Sequence, residues 1–257
     1  MKLNPSTGNM YEFITHTWNP IKGKCYHDCS YCYMKAINPN ISSIPINLVE
    51  SELTGYFPIN SFIFIGSSAD LFAEDVQDEW ITKVLDFCAE ASNKIPPDRK
   101  PKFLIQSKNP KRILNFIKHP LFLPENNQVV VCTTIETNRH YQDIMNNAPL
   151  TYERANAMRE LASMGIKTYV TIEPIMDFDL EEMVALIKMC KPAQVNIGKN
   201  TSKTVELPHP TIGKLVNLIM QLLSFTKVKV KKNVDGEMIK TGLIQLINKN
   251  YSYEKTF

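Results

Sequence analysis

Three cysteines stand close together near the start of the chain, in the segment CYHDCSYC from Cys25 through Cys29 to Cys32. Three residues separate the first two and two residues separate the last two, so the thiolates can fold around one metal centre. Iron–sulfur clusters are held by cysteine thiolates at such short spacings, usually by four of them. Three protein ligands leave one iron of a four-iron cluster open, and an open position is typical of catalytic rather than structural metal sites.

Structural zinc is the alternative occupant of this loop, with His27 or His16 as a fourth ligand. Zinc sites commonly use paired Cys-x-x-Cys elements, and the sequence contains no second pair. The other cysteines fall in apolar patterns, Cys88 and Cys190 in helical segments and Cys132 in a strand. We therefore expect these three to be small buried residues.

Short β-rich runs alternate with longer helical patterns along the chain, and the runs are short and apolar enough for buried parallel strands. We predict strands at Tyr11–Thr17, Ser61–Gly66, Lys102–Gln106, Gln128–Thr133, Ile166–Ile172 and Gln194–Ile197. We predict helices at Asp78–Asn93, Pro110–Lys118, Thr151–Met164, Asp179–Cys190 and His209–Phe225. Six β/α units predict an α/β fold, a partial (β/α)6 TIM-like barrel. A doubly wound sheet gives a similar pattern, but no glycine-rich turn follows the first strand.

The composition is that of a folded domain. The chain has 257 residues, of which 44% are hydrophobic and 21% charged, with a net charge of +3, so it can form a core. No apolar run approaches a membrane span, and the N-terminus has no apolar signal-peptide region. Six cysteines without an export signal favour reduced thiols in the cytoplasm. We expect a core domain over residues 1–225 and a short C-terminal extension over residues 226–257.

The extension carries a lysine-bearing extended run at residues 227–232, a turn at Asp235-Gly236 and a short predicted helix at Met238–Lys249. Three lysines of the run share one strand face. Protection of a sheet edge explains them structurally, and contact with nucleic-acid phosphates explains them functionally. The second explanation, combined with zinc in the cysteine loop, describes a nucleic-acid-recognition module without catalytic activity.

Polar side chains follow five of the predicted strands. The carboxyl ends of parallel strands meet at one rim, where barrels of this type place their active sites. Ordinary loop polarity is the alternative, but five such groups at one rim suit a small zwitterionic ligand. These segments are Gly66–Asp70, Gln106–Asn109, Thr133–Glu136, Thr171–Pro174 and Asn196–Lys199.

The cysteine loop resembles the signature of the radical S-adenosylmethionine (SAM) superfamily, including an aromatic residue, Tyr31, just before the last cysteine. With Tyr33 the loop reads CSYCY, which is similar to the spore photoproduct lyase branch. Residues 11–200 as a whole resemble a family of phage- and prokaryote-encoded radical-SAM-like proteins with no established reaction. The remaining motifs that carry this likeness, by their order, are Thr17–Pro20, Ser68–Phe72, Gln106–Pro110, Thr134–Glu136 and Glu173-Pro174.

The resemblance implies a mechanism. Cys25, Cys29 and Cys32 would bind three irons of a [4Fe-4S] cluster, and the fourth iron would chelate the amino and carboxylate groups of SAM. Reductive cleavage of SAM would give methionine and a 5′-deoxyadenosyl radical that takes a hydrogen atom from the substrate. A reductant of the flavodoxin or ferredoxin type is implied, and the lyase-like loop suggests a nucleobase or nucleic acid as substrate. The protein orients the cofactor and excludes water and oxygen.

The resemblance also assigns cofactor-binding roles to the rim. Most members of the superfamily carry a Gly-Gly-Glu-type sequence after the second strand, which holds the SAM amino group. This chain has Ser67, Ser68, Ala69 and Asp70 there instead, so Asp70 or a serine hydroxyl is the candidate acceptor. Tyr31, inside the cysteine signature, is a further candidate.

Four residues further along the chain complete the candidate SAM site. Lys108 is expected to make a charge-assisted contact with the SAM carboxylate. Thr134 is a candidate for the same carboxylate and Glu136 for the ribose hydroxyls. Arg154 is either a further carboxylate ligand or a solvated charge on a helix face.

Three residues near the site have both functional and ordinary explanations. Glu173, fixed in direction by Pro174, serves SAM or substrate, or forms a rim ion pair with Lys199. Trp18 covers the cluster or packs the barrel mouth. His27 tunes the cluster potential through hydrogen bonds to sulfur, or is a solvated loop residue.

Overall fold

The fold is built on one large sheet. The computed structural model describes residues 1–123, 126, 128–202, 205–234, 236 and 241. In chain order, its strands are β1 (Leu3–Pro5), β2 (His16–Trp18), β3 (Ile21–Lys22), β4 (Asn47–Leu48), β5 (Phe62–Ile65), β6 (Lys102–Gln106), β7 (Val129–Thr134), β8 (Lys167–Ile172), β9 (Gln194–Ile197) and β10 (Lys227–Val230). Strands β3 and β4 form a small antiparallel ribbon, and the other eight form one sheet in the order β1-β2-β5-β6-β7-β8-β9-β10.

Strand direction and order identify the architecture. Strand β1 is antiparallel to β2, whereas every neighbouring pair from β2 to β10 is parallel. The order follows the chain without a reversal, so right-handed crossovers place the helices on one face of the sheet. A doubly wound sheet reverses its strand order. The predicted partial TIM-like barrel is therefore confirmed.

The helices are α1 (Tyr33–Ile37), α2 (Asp78–Asn93), α3 (Pro110–Ile113), α4 (Gln142–Met145), α5 (Thr151–Ser163), α6 (Leu180–Met189) and α7 (Ile212–Leu223). Buried residues of α2, α3, α5, α6 and α7 belong to the large core on the outer face of the sheet. Met145 of α4 instead packs with Cys29 and Tyr31 of the cysteine loop. Short 3₁₀ turns occupy Ile41–Ser43, Glu50–Glu52, Pro97–Arg99, Leu114–Phe116 and Pro120–Phe122. No helix in the described part of the chain is long and apolar enough to cross a membrane.

Alternating strand residues create two apolar layers because successive side chains point to opposite faces. Ile63 and Phe103 belong to the large core shared with the helices. Phe64 and Leu104, one residue further along the same strands, belong to a smaller cluster with Tyr11. The segment before β2 therefore fills the inside of the barrel, and Tyr11 is only 6% exposed there.

The predicted elements agree best with the observed ones where apolar residues recur regularly over the whole element. The predictions Asp78–Asn93, Lys102–Gln106 and Gln194–Ile197 match the observed bounds. The prediction of a strand over Tyr11–Thr17 was wrong for residues 11–15, since strand β2 begins at His16 and the preceding residues turn into the barrel. The helix predicted over Pro110–Lys118 is α-helical only to Ile113 and continues as a 3₁₀ turn.

The lysine run of the predicted extension contains β10, which pairs in parallel with β9 and is the last strand of the main sheet. The predicted helix at Met238–Lys249 lies outside the described residues apart from Thr241. The division of the chain at residue 225 remains a prediction.

The turn after β5 depends on a glycine. Gly66 has a φ of +75°, and a Cβ there would lie 2.8 Å from the Ala69 carbonyl oxygen. Real Cβ atoms do not approach a backbone oxygen so closely, and the left-handed conformation disfavours any other residue. Glycine therefore permits the tight path by which the chain leaves β5 and enters the rim.

Replacing Gly66 by alanine should destabilise the protein by about 3 kcal/mol, from left-handed strain and from the clash with Ala69. Gly8→Ala is the matched control, because Gly8 also has a positive φ, +67°, but open space around its Cβ position. Urea unfolding should show a loss of only about 1 kcal/mol for that control. Equal losses for the two variants would contradict the close approach.

Candidate functional site

A cavity of about 520 Å³ opens at the carboxyl ends of the parallel strands. Its volume falls within the range of small-molecule and cofactor sites. The three cysteines of the loop line it together with most of the predicted rim residues. The predicted site residues that line the cavity are Cys25, Cys29, Cys32, Tyr31, Ser67, Ser68, Asp70, Lys108, Thr134 and Glu173.

The cysteine loop is folded by short turns. The amide of Asp28 donates to the carbonyl of Cys25 at 3.1 Å, and the amide of Cys32 donates to the carbonyl of Cys29 at 3.1 Å. Helix α1 starts directly after Cys32. All three thiols are free, and Cys29 is buried. Three sulfur donors are therefore presented to one cavity by eight residues.

Burial controls the protonation of two of these thiols, Cys25 and Cys32. It raises the pKa of Cys25 to about 12, against hydrogen bonds from the backbone amides of Asp70 and His27. Burial also raises the pKa of Cys32. A coordinating cation deprotonates a thiol outright. Cys25 and Cys32 therefore suit a metal centre and remain protonated without one.

The described residues contain no group of three or more His, Cys, Asp or Glu side chains that converge on a single metal ion. Zinc requires all its ligands at about 2.0–2.3 Å from one point. The geometry thus gives no support to the zinc alternative. The ligands of an iron–sulfur cluster bind different iron atoms, so this criterion for a single ion does not test a cluster, which stays a prediction.

Asp70 connects the loop to the rim. Its Oδ2 accepts hydrogen bonds from His27 Nε2 at 2.7 Å, Ser107 Oγ at 3.0 Å and the Lys108 amide at 2.8 Å. Its Oδ1 accepts from the amide of Phe72 at 2.9 Å. Burial acts to raise the pKa of Asp70, but the His27 and amide contacts hold it below its usual value. The carboxylate therefore remains charged while protein donors occupy most of its lone pairs.

His27 is only 3% exposed, so the expectation of a solvated loop histidine was wrong. Its role in the structure is the contact with Asp70, which ties the cysteine loop to the ends of β5 and β6.

Trp18 is fully buried and packs against Phe57 and Phe87. Trp18 therefore has a packing role, but in the core shared with the helices rather than at the barrel mouth, where the prediction placed it. Cys132, like Cys88 and Cys190, is buried as predicted.

The two serines after β5 are held by Asn19, a residue that the sequence motif contained but gave no role. Asn19 Oδ1 accepts from Ser67 Oγ at 3.1 Å and from the Ser68 amide at 2.9 Å. The hydroxyl of Ser68 itself is buried and has no partner among the described residues. It is therefore an unused hydrogen-bonding group at the cavity wall.

Glu136 forms the centre of a buried charge network. It is fully buried and pairs with Lys108 on one side and with Arg154, at 2.9 Å, on the other. Tyr31 donates to the same carboxylate. Burial alone would raise the pKa of Glu136, but Arg154 and Lys108 hold it well below the usual range. Glu136 is thus a fixed negative charge next to the cavity.

Neither Glu136 nor Arg154 is among the residues that line the cavity. Arg154 is 1% exposed and also donates to the carbonyls of Pro149 and Thr134, so the solvated-surface explanation for it was wrong. Lys108 reaches the cavity, and its ammonium contacts Tyr31 Oη at 2.6 Å. The direct SAM contacts predicted for Glu136 and Arg154 remain predictions.

A second charged pair lies across the cavity. Glu173 forms an ion pair with Lys231 at 2.5 Å, where an ion pair with Lys199 had been the alternative explanation. Asn9 donates to the other carboxylate oxygen at 2.9 Å. Burial raises the pKa of Glu173 despite Lys231 and Asn9.

The sequence analysis did not single out Asn9, Tyr11 or Lys231 as site residues, although all three line the cavity. Tyr11 was predicted to begin a strand, and Asn9 lies just before that predicted strand. Lys231 carried a usable signal, because it follows β10 as the other rim residues follow their strands. Its membership of a lysine run concealed that position.

Comparisons with known proteins agree with this architecture. The model of the family described as "Protein of unknown function (DUF5131)" matches residues 9–179. A structure of a spore photoproduct lyase variant with bound AdoMet and dinucleoside spore photoproduct has a TM-score of 0.60 and 10% identity, covering 88% of this chain and 78% of that chain. A spore photoproduct lyase complex with dinucleoside spore photoproduct has a TM-score of 0.61 and 11% identity with the same coverage. No functionally curated protein matches the chain in sequence. At such identities the likeness establishes a shared fold.

Replacing Glu136 by glutamine should destabilise the protein by about 3 kcal/mol, because Arg154 and Lys108 would be left buried without their counter-charge. The loss should be complete at pH 7 and shrink as the pH falls below the ordinary glutamate pKa of 4.5, since the folded-state pKa is depressed. Urea unfolding across pH measures both effects.

Glu79→Gln provides the control for that experiment. Glu79 pairs with Lys83 on the surface of α2 at 3.1 Å, and exposed pairs of this kind contribute little. Its unfolding curve should overlay the wild-type curve. A Glu136→Gln variant as stable as this control would rule out a charged network.

Proposed function

The chain belongs to the family described as "Protein of unknown function (DUF5131)", and from that membership, the fold and the site we propose that it is a radical SAM enzyme. The single observation that carries the proposal is that Cys25, Cys29 and Cys32 line the same cavity as the rim of the parallel sheet. In the proposal they hold a [4Fe-4S] cluster. SAM lies beside it in the cavity.

When bound, the cluster supplies the electron that cleaves SAM and so provides a radical for hydrogen abstraction. The side chains of the protein bind SAM and hold it in position. The buried hydroxyl of Ser68 is the candidate acceptor for the SAM amino group, because it has no protein partner. Asp70 serves mainly to hold the loop, since its oxygens already accept four protein hydrogen bonds.

Lys108 is the candidate partner of the SAM carboxylate. An ammonium has three donors, and two of them point to Tyr31 and Glu136, which leaves one for a ligand. Glu136 and Arg154 then act on SAM through Lys108, by fixing its ammonium at the cavity wall. Thr134, at the end of β7, lines the same wall.

The substrate in this proposal is a nucleobase or nucleic acid. Support comes from the lyase-like cysteine loop and from the dinucleoside complexes of the structurally similar lyase. The reductant is a flavodoxin- or ferredoxin-type protein. The six free cysteines suit the reducing cytoplasm.

Anaerobic reconstitution tests the proposal directly. The wild-type protein should turn brown, bind about four irons and release 5′-deoxyadenosine from SAM under reductant. Cys29→Ala should lose both properties, because a cluster corner loses its ligand. Cys88→Ala is the matched control: Cys88 is buried in α2, away from the loop, and its replacement should leave iron content unchanged. Absence of iron in the wild type, or SAM cleavage that survives Cys29→Ala, would refute the proposal.

The separate roles of Asp70 and Ser68 predict separate phenotypes. Asp70→Asn and His27→Gln should each lower the iron content, and the double variant should lose little more, since both break one contact. Ser68→Ala should keep its iron and bind SAM less tightly. Iron quantification and SAM titration of the loaded protein distinguish these outcomes. A fully loaded Asp70→Asn protein with weakened SAM binding would instead make Asp70 a direct ligand.

A further inference from the structure

The cavity has a second polar wall that the proposed cofactor site does not use. Glu173 follows β8 and Lys231 follows β10, whereas the cysteine loop follows the β2 end of the sheet. Four strand intervals separate β2 from β8, about 19 Å along the curved sheet. Both walls nevertheless line the same cavity. The cavity is therefore wide enough to present two different sets of polar groups.

The second wall is held rigidly. Lys231 Nζ donates to Glu173 Oε2 at 2.5 Å and to the carbonyl of Asn9 at 2.6 Å, and it lies 4.4 Å from the centre of the Tyr11 ring. Lys231 and Glu173 are only 13% and 18% exposed. The fold also makes room for the carboxylate, because a Cβ on Gly198 would lie 2.6 Å from Glu173 Oε1.

A stabilising role does not account for this pair. Taking two charges out of water costs about as much as their attraction returns. The pair nevertheless remains partly open to a cavity rather than sealed in the core. The pair presents a strong hydrogen-bond donor, Lys231, next to a strong acceptor, Glu173.

Gln106 adds a further donor at the same wall. Its Oε1 accepts from Tyr11 Oη at 2.8 Å, which orients the amide. No acceptor for its Nε2 is found among the described residues, and Gln106 lines the cavity. The wall thus offers one acceptor, Glu173, between two donors, Lys231 and Gln106.

We propose that Glu173 and Lys231 form a substrate subsite that recognises the lactam edge of a nucleobase, an N–H group next to a carbonyl. Glu173 accepts from the N–H, and Lys231 donates to the adjacent carbonyl. Uracil- and guanine-type bases carry this edge, whereas cytosine and adenine do not. The proposal deepens the proposed function by naming the substrate edge, and it rests on that function for placing substrate in this cavity.

Nucleoside binding to the full chain tests the subsite without turnover. Isothermal titration calorimetry with uridine, 3-methyluridine and cytidine compares three similar rings, of which only uridine has a free N–H beside a carbonyl. Wild-type protein should bind uridine about tenfold more tightly than either analogue, as expected for the loss of a hydrogen bond to a charged group.

Substitutions then locate the preference. Lys231→Met keeps the length of the side chain and should reduce the uridine preference to less than about twofold, as should Glu173→Gln. Lys231→Arg should retain part of the preference. Lys229→Met is the matched control from the same lysine run, because Lys229 is 50% exposed and near Glu12 at 3.5 Å. It should bind all three nucleosides as the wild type does.

The outcomes separate the two proposals. Equal binding of uridine and 3-methyluridine, a preference that survives Lys231→Met in a folded protein, or no nucleoside binding at all would overturn the subsite. In those cases the proposed radical SAM function would still be supported if the protein binds iron and cleaves SAM. Conversely, failure to bind iron would refute the radical chemistry and leave the nucleoside measurement interpretable.

Discussion

The organisation of the site depends on the carboxylate of Asp70. Through His27, Ser107 and two backbone amides, it joins the cysteine loop to the ends of two adjacent strands. Cys29 and Tyr31 of the loop also pack in a small apolar cluster with Met145 and Met176. The position of the loop in the cavity therefore follows both from this packing and from hydrogen bonds to a charged group, which are among the stronger polar contacts in proteins.

A second buried charge organises another side of the proposed cofactor region. Glu136 is stable as a carboxylate only because Arg154 and Lys108 flank it, and the three charges form one unit. Lys108 belongs both to this unit and to the cavity wall. A polar network inside the barrel thus determines where one cationic group faces the ligand space. The apolar core provides the sheet on which that network is mounted.

The bounds of secondary-structure elements could be predicted from the sequence where apolar residues recur at a regular spacing. Strand β6, strand β9 and helix α2 have the predicted bounds because their apolar residues recur at strand or helix spacing. The sequence also predicted that the rim residues lie close together, because the carboxyl ends of parallel strands meet at one edge of the sheet. Partners across the fold carried no local signal: His27 with Asp70 and Glu136 with Arg154 are contacts between segments remote in sequence. The turn of residues before His16 into the barrel is likewise decided by tertiary packing of Tyr11, which overrode its strand propensity.

The contact between Lys231 and the carbonyl of Asn9 joins residues 222 positions apart. One wall of the cavity is therefore completed only when nearly the whole described chain has emerged and folded, whereas the cysteine loop and its Asp70 anchor lie within the first third. During synthesis on the ribosome, the segment proposed to bind metal is available long before the last strand closes the far wall. The order of the chain thus allows loading of the inorganic part to come before the enclosure that selects what enters.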